Sequence, residues 1–198
     1  GNTIADGAND TFTVTVNTSN ANVTLDNWEV KGKSSTGKAK KATATGEGLG
    51  TGIDNVGPTG QSITSVTAND STKITVTAAT GADADSGLST TPYYFTETSG
   101  NSGGSSSSSF QASNAWIDTG LSPNTQYTYT TKLQDLTGNE SADSTSSSTY
   151  TLANIPVAAA ETSITSTSIT TNWTANSNPT GTEYYVENQT ATTNSGWI

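Results

Sequence analysis

DTGLSPNTQYTYTTKLQDLTGN, residues 118 to 139, is the stretch that decides the fold of this chain. A turn that contains Pro123 leads into a strand in which Tyr127 and Tyr129 share one face, because side chains alternate along a strand. We expect the Tyr127 hydroxyl group to hold the preceding loop, with Leu121 packed beside it. The stretch therefore predicts a locked corner at the entry to a buried antiparallel strand.

The composition predicts an all-β chain with long polar loops. Only 30% of the residues are hydrophobic, and Ser and Thr make up about a third of the chain. Repeated Thr-Val and Thr-Tyr alternation argues against disorder, because β-branched residues fit a half-buried pleated surface. The sparse hydrophobic side chains are therefore expected almost entirely on the inward faces of strands.

Several common kinds of site are excluded by residue types that the sequence lacks. The chain contains no Cys, His, Met or Arg. Disulfides, the usual zinc and copper sites and a Ser-His-Asp nucleophile are therefore impossible. No pair of carboxylates stands on adjacent strand positions with an obvious pocket, as a glycosidase requires. We expect a segment that is not an enzyme and that holds no organic cofactor.

The charge argues against nucleic acid as a partner. The net charge is −10, with 17 acidic residues against 7 lysines. Five of the lysines cluster between Lys31 and Lys41, which is typical of a solvated loop or a protected strand edge. No run approaches the roughly 18 apolar residues of a membrane span. We therefore expect neither nucleic-acid binding nor a membrane span.

Three segments follow one another along the chain. Residues 1–56 are β-rich, with a strand predicted over 11–16. They are either the remnant of a preceding sandwich module or a few strands packed against their neighbour. Residues 57–153 carry enough predicted strands for a complete sandwich, whereas 154–198 contain only the first half of one. We interpret the chain as a fragment of a longer protein.

The third segment repeats the second. Tyr184-Tyr185-Val186 matches Tyr93-Tyr94-Phe95, and Asn194-Ser195-Gly196 matches Asn101-Ser102-Gly103. No counterpart of the corner stretch follows. We expect this half-module to be completed by further chain, or by a strand from a neighbouring module or subunit.

The corner, the strand spacing and the joint Asp54-Asn55-Val56-Gly57-Pro58-Thr59 together resemble fibronectin type III modules in their bacterial extracellular form. The resemblance covers roughly residues 57–198. It implies an all-β fold of immunoglobulin-like (fibronectin type III) sandwich modules in tandem. Within it, residues 1–56 would belong to a preceding immunoglobulin-like module. The structural residues that it implies are Leu121, Pro123, Tyr127 and Tyr129 at the corner, Pro58 and Pro156 at the joints, and Trp173 on the second strand of the third segment.

The resemblance also implies a role. We expect a non-catalytic, extracellular structural or spacer segment of a bacterial cell-surface or secreted protein, with an S-layer or a filament as candidate assemblies. The alternative is an adhesin module that binds carbohydrate or a host surface. One departure concerns the core: the central segment has Val76 and Ala78 where a strand Trp is common, so its core is expected around Trp116 or the tyrosine pair.

The loops contain Asp and Asn side chains, which are ligands of the kind that calcium prefers. Asp83 and Asp85 precede a strand, Asp135 and Asn139 lie in the turn after the corner strand, and Asp54 lies at the joint. Calcium takes six to eight oxygen ligands, often from carboxylate and amide groups. The alternative explanation is that Asp and Asn occur in these turns because they cap the backbone.

Polysaccharide binding would need exposed aromatic side chains. The aromatic candidates in the two modules are Trp116, Trp173, Tyr93 and Tyr184. Each occupies a position where a sandwich needs core, so burial is the favoured interpretation. An exposed pair with coplanar rings would favour binding instead.

Overall fold

The computed structural model describes residues 54–198 and the backbone of two short strands, β1 (Gly32–Lys33) and β2 (Ala39–Lys40), which pair antiparallel. The chain divides into two compact units, Gly1–Val56 and Gly57–Ile198. The strand predicted over 11–16 and the lysine side chains of the first unit lie outside the described residues.

Six antiparallel strands form the central module, which we define as residues 57–153. One sheet has the order β3-β4-β6 and the other has the order β5-β7-β8. The prediction of an all-β, immunoglobulin-like sandwich is confirmed. The strands are β3 (Ile63–Ala68), β4 (Lys73–Ala78), β5 (Leu88–Glu97), β6 (Ala115–Thr119), β7 (Gln126–Asp135) and β8 (Ser147–Tyr150).

Strict alternation places the core between the two sheets. In β7 every second residue from Tyr127 to Asp135 is buried, while the residues between them are half-buried. The same alternation in β4 buries Ile74, Val76 and Ala78. The buried hydrophobic side chains are Ile74, Val76, Ala78, Tyr93, Phe95, Leu121, Tyr127, Tyr129 and Leu133.

Trp116 of β6 packs beside β4, the strand on which a tryptophan is common in similar modules. It lies opposite Val76 in the β4–β6 register, and its ring lies 6.1 Å from that of Phe95 and 5.9 Å from that of Tyr129. Trp116 of β6 therefore packs against the core together with Phe95 of β5 and Tyr129 of β7.

The serine run of residues 105–109, whose composition is typical of a flexible loop, lies in a serine-rich segment, residues 105–111, that is hydrogen-bonded along the edge of β5. The amide of Ser108 donates to the carbonyl of Phe95, and the amide of Phe95 donates to the Ser108 hydroxyl group, both at 3.0 Å. Tyr93 and Gln111 exchange backbone hydrogen bonds of 3.1 and 2.9 Å. Because serine gives no alternation signal, the sequence could not identify this edge segment.

The C-terminal module, defined as residues 154–198, contains four strands in two separate pairs. The pairs are β9 with β10 and β11 with β12, both antiparallel. Within residues 154–198 the only buried residue is Asn178. The bounds are β9 (Val157–Thr162), β10 (Thr170–Thr174), β11 (Tyr185–Asn188) and β12 (Thr193–Trp197).

The pairing of β11 with β12 repeats the pairing of β5 with its serine-rich edge. Tyr184 and Ile198 exchange backbone hydrogen bonds of 2.7 and 2.9 Å, as Tyr93 and Gln111 do. The amide of Val186 donates to the hydroxyl group of Ser195 at 3.0 Å, as that of Phe95 does to Ser108.

The structural equivalence differs from the sequence match for one of the two motifs. The tyrosine pairs correspond as predicted, but Asn194-Ser195-Gly196 corresponds to Ser107-Ser108-Ser109 rather than to Asn101-Ser102-Gly103, because the hydrogen-bonding role of Ser195 belongs to Ser108. The division of the second unit at residue 153 stays a prediction. No helix within residues 54–198 has the length and hydropathy needed to cross a membrane.

Candidate functional site

The corner before β7 is held by the Tyr127 hydroxyl group. The amide of Ser122 donates to this oxygen at 2.9 Å, and the hydroxyl group donates to the carbonyl of Ser102 at 2.5 Å. Tyr127 is fully buried and Leu121 is 3% exposed. Pro123 is half-buried, and its carbonyl accepts a hydrogen bond from the Thr125 hydroxyl group. One phenol therefore joins two loops that are distant in sequence.

Tyr129 reaches a buried carboxylate on the other sheet. Its hydroxyl group donates to Asp118 Oδ2 at 3.2 Å, and the amide of Ser105 donates to Asp118 Oδ1 at 2.9 Å. Asp118 is only 1% exposed. Burial raises the pKa of Asp118, and hydrogen bonds from Ser105 and Tyr129 oppose that rise in part. Burial and the neighbouring Asp118 also raise the pKa of Tyr129.

Sequence reasoning missed Asp118 as a core residue. The available signal was its position two residues after Trp116 in β6, since residues two apart in a strand share a face. Gly104 covers the same carboxylate: a Cβ atom there would lie 2.8 Å from Asp118 Oδ1 and 2.4 Å from a methyl carbon of Leu121. Gly104 has φ +70°, so both its conformation and its neighbours require glycine.

Asparagine side chains hold the first residues of the C-terminal module, directly after the joint, to the rest of that module. The amide of Asn154 donates to Asn178 Oδ1 at 2.7 Å, and Asn178 Nδ2 donates back to the carbonyl of Asn154 at 2.8 Å. Asn176 Nδ2 donates to the carbonyl of Ile155 at 2.8 Å. We call Asn154, Asn176 and Asn178 the asparagine joint.

A second contact ties the corner to the C-terminal module. Asn124, in the turn of the corner, donates from Nδ2 to the Thr182 hydroxyl group at 2.9 Å. The prolines predicted to define the joints differ in environment: Pro58 is buried, whereas Pro156 is exposed. The side-chain hydrogen bond that crosses the second joint is made by Asn124 and Thr182, and Pro156 does not take part in it.

The candidate calcium ligands of the second unit cap their own loops. Asp83 Oδ1 accepts hydrogen bonds from the amides of Asp85, Ser86 and Gly87 at 2.9 to 3.1 Å. Asp85 itself is exposed. A carboxylate oxygen of Asp83 lies within 4.8 Å of one of Asp135.

Asp135 serves the turn after β7 in the same way. Its Oδ1 accepts the amides of Thr137 and Asn139, both at 2.8 Å, and its Oδ2 accepts Asn139 Nδ2 at 2.7 Å. Asp54 belongs to the first unit, is 8% exposed and accepts the amide of Val56 at 3.0 Å. Turn capping accounts for the carboxylates of Asp54, Asp83 and Asp135, and calcium binding stays a prediction.

The aromatic candidates for polysaccharide binding pack inside the modules. Tyr93 is 6% exposed, and Trp116 is packed against the core. Trp173 is half-buried, and its ring lies 5.6 Å from that of Tyr184. Trp173 therefore joins the two strand pairs of the C-terminal module by contacting a residue next to β11.

Two other aromatic pairs lie on the outer faces of the modules. Tyr94 and Phe110 have ring centroids 5.0 Å apart, and Lys132 Nζ lies over both rings. Tyr185 and Trp197 occupy the equivalent positions, 5.5 Å apart with planes tilted by 50°. The tilt means that the exposed pair is not coplanar, so it does not form the flat platform that would favour polysaccharide.

Comparison with known proteins finds similarity to solved structures only. No family model and no curated protein matches this chain. The chain resembles fibronectin type III domains. A solved fibronectin type III domain of human fibronectin type III domain containing protein 3 is 18% identical, with a TM-score of 0.41 over 50% of this chain and 90% of that one.

Two enzymes also contain a similar part. A chitinase of Bacillus thuringiensis is 21% identical, with a TM-score of 0.36 over 65% of this chain and 16% of the chitinase. A family 28 exopolygalacturonase of Yersinia enterocolitica is 15% identical, with a TM-score of 0.35 over 52% of this chain and 21% of the enzyme. In both cases the chain spans about a fifth or less of the matched protein.

Proposed function

We propose that this chain is a non-catalytic structural segment of an extracellular protein, in which sandwich modules act as spacers held at a defined angle. The observation that carries the proposal is the Asn124–Thr182 hydrogen bond between the modules, together with the asparagine joint, which anchors the first residue of the C-terminal module to the rest of that module. Asn154 and Asn178 exchange two hydrogen bonds, and Asn178 is only 8% exposed. A pair that is both reciprocal and buried costs free energy to open, because each amide group would lose a partner.

The contact of Asn124 with Thr182 adds a second fixed point. It lies away from the backbone connection between the modules, so the two contacts together oppose bending. A flexible Gly- or Ser-rich linker would leave the angle free. The joint therefore favours a stiff spacer.

A non-catalytic role agrees with the use of the acidic residues. Asp83 and Asp135, which lie close together, are engaged by the backbone amides of their own loops. Asp118 is sealed in the core beneath Gly104. These carboxylates stabilise turns and strands, and their lone pairs are directed at the chain itself.

Nitrogen-15 relaxation of the full chain tests the spacer role. We expect the central and C-terminal modules to tumble as one body, with a single anisotropic rotational correlation time. Replacement of both Asn124 and Asn178 by alanine should separate the correlation times of the two modules. Asn194→Ala is the matched control, because Asn194 is an exposed asparagine of β12 whose side chain accepts a hydrogen bond from the amide of Gly196 in its own strand. Independent tumbling of the modules in the unsubstituted chain would refute the proposal.

The extracellular location and an assembly such as an S-layer or filament are part of the same proposal. A cysteine-free, acidic, Thr-rich sandwich array with stiff joints suits a surface stalk or lattice. Protease treatment of intact producing cells should release peptides of this chain if it lies outside the cell. Release only after lysis would place it inside.

A further inference from the structure

The turn that begins the corner, residues 121–125, also holds the end of the central module, and we call it the corner turn. The amide of Thr151 donates to the carbonyl of Thr125, and the amide of Thr125 donates to the Thr151 hydroxyl group, both at 3.0 Å. The amide of Asn124 donates to the carbonyl of Leu152 at 3.1 Å. The chain therefore leaves the central module from a point that is fixed on the corner turn.

The residue at the centre of the corner turn carries a side chain that the turn itself does not require. Asn124 has a left-handed backbone, with φ 44°, which favours glycine and which asparagine tolerates. Glycine would form the same turn without any side chain. What asparagine adds is the amide group whose Nδ2 donates to Thr182 Oγ1, in the C-terminal module, at 2.9 Å.

Thr182 is arranged to accept this hydrogen bond. Its hydroxyl group donates its only proton to the carbonyl of Pro179 at 2.8 Å, and its amide donates to the same carbonyl at 3.2 Å. The hydroxyl oxygen keeps its lone pairs, so the group that meets it has to be a donor. Asn124 Nδ2 supplies that donor, and the two side chains are therefore complementary.

Both partners are fixed close to the connection between the modules. Thr182 lies in the same loop as Asn178, whose side chain binds both backbone groups of Asn154. Asn124 is bonded to Leu152, two positions before Asn154. Only one residue lies between these two anchored positions, and each residue has only two soft backbone angles. One hydrogen bond across the joint is therefore enough to restrict it.

We propose that the corner turn is the docking surface for the module that follows in the chain, and that residue 124 selects this module through one loop position. Asparagine at 124 docks a module whose loop presents a hydroxyl acceptor, as Thr182 does, and leaves free a module with an apolar side chain there. Glycine at 124 would keep the corner and leave the joint free. This selection deepens the proposed spacer role and rests on it.

Substitutions of the two partners in the full chain test the selection, with residual dipolar couplings of both modules as the measurement. Asn124→Gly should leave the urea midpoint of the central module unchanged and free the joint. Thr182→Val should also free it, because valine has the shape of threonine without the acceptor. Each should lower the ratio of docked to free joints about two- to tenfold, as expected for one neutral hydrogen bond. Thr182→Ser keeps the hydroxyl group and should keep the modules docked.

The double variant decides whether the two side chains act together. Asn124→Gly with Thr182→Val should be no more mobile than either single variant, because both remove the same hydrogen bond. Thr180→Val is the matched control, since Thr180 is an exposed threonine of the same loop, and it should leave the couplings unchanged.

Two kinds of failure are distinguishable. A shared alignment of the modules that survives Asn124→Gly and Thr182→Val would overturn the selection by residue 124 and leave the spacer role in place. Additive effects in the double variant would also overturn the selection alone. Independent alignment of the modules in the unsubstituted chain would instead overturn the spacer role and the selection with it.

Discussion

The central and C-terminal modules share a hairpin register but differ in what they bury. β5 with its serine-rich edge and β11 with β12 make the same backbone and serine hydrogen bonds. The central module buries nine hydrophobic side chains, whereas the only buried residue of the C-terminal module is Asn178. Local pairing therefore forms from local sequence, whereas the core of the central module is built by two sheets whose strands lie far apart in the chain.

The reason lies in the arrangement of the sheets. In the central module β6 and β7 add Trp116, Tyr127 and Tyr129 to the space between β4 and β5. In the C-terminal module the described strands are two pairs with Trp173 and Tyr184 in contact between them.

Removal of the corner tyrosine should have the largest effect. Tyr127→Ala should lower the free energy of unfolding of the central module by about 3–5 kcal/mol, because a fully buried aromatic ring is lost. Tyr127→Phe should cost about 1–3 kcal/mol, since the Ser122 amide and the Ser102 carbonyl lose their partner. Urea unfolding measures both.

Tyr150→Ala is the matched control, because Tyr150 is 55% exposed. Its effect should be below about 0.5 kcal/mol, as for an ordinary surface substitution. A loss under about 1 kcal/mol for Tyr127→Ala would show that the corner does not depend on this ring.

A methyl group at Gly104 should disturb the central core from outside. Gly104→Ala should cost about 2–4 kcal/mol, since it combines left-handed backbone strain with a clash against Leu121 and Asp118. Gly138→Ala has the strain alone, with φ +91° and no atom within 4 Å of the added carbon. It should cost about 1–2 kcal/mol. Equal losses for the two variants would mean that the Gly104 contact is relieved easily.

The same substitution in each module measures the difference in burial directly. Val76→Ala should destabilise the central module by about 2 kcal/mol, because Val76 is fully buried. Val186→Ala should destabilise the C-terminal module by less than about 1 kcal/mol, because Val186 is half-buried. A urea titration followed by amide resonances separates the modules. Equal effects would show that both have comparable cores.

Two buried carboxylates of the central module should give opposite pH dependences. Burial raises the pKa of Asp118, so its protonated form favours the folded state, and this stability is lost as pH rises through the raised pKa. The unsubstituted chain should therefore lose stability relative to Asp118→Asn as pH rises from 3 to 7. Urea unfolding at several pH values measures the change.

Asp135 should give the opposite dependence of stability on pH. Burial acts to raise its pKa, but hydrogen bonds from Asn139 and Thr137 outweigh burial and lower it. The stability that Asp135 contributes is therefore present above its ordinary pKa and lost as pH falls through the lowered value. Relative to Asp135→Asn, the unsubstituted chain should lose stability on acidification. A shared sign for the two variants would contradict the difference in their environments.

Calcium should have the smallest effect if turn capping alone accounts for the carboxylates. Melting of the chain should then be the same with chelator and with millimolar calcium. A rise in the melting temperature that is lost in Asp83→Asn would instead establish binding at this loop. Magnesium is the control for ionic strength, because it prefers a smaller octahedral site.

The strands of the central module were predictable because their signal is local. Alternation around Val76 and Tyr129 identifies strands, and Pro123 with Asn124 identifies the turn between β6 and β7. The serine-rich edge was missed because residues such as Ser108 pair through a hydroxyl group rather than through an apolar face. The match of Asn194-Ser195-Gly196 with Asn101-Ser102-Gly103 was wrong because it compared residue identities alone. The structural equivalence instead follows the hydrogen bonds that Ser195 and Ser108 make with the neighbouring strand.

The sequence by itself determined the strands of the central module, the position of the corner turn, and the exclusion of the usual zinc and copper sites and of a Ser-His-Asp nucleophile, because each depends on residue type or on spacing within a few positions. Tertiary structure alone decided that Asp118 is buried beneath Gly104, that Asn154 meets Asn178, and that Lys132 covers one aromatic pair while Tyr185 stays exposed. These contacts join residues that are far apart in the chain. Their distances depend on how the sheets pack, which no short sequence window contains.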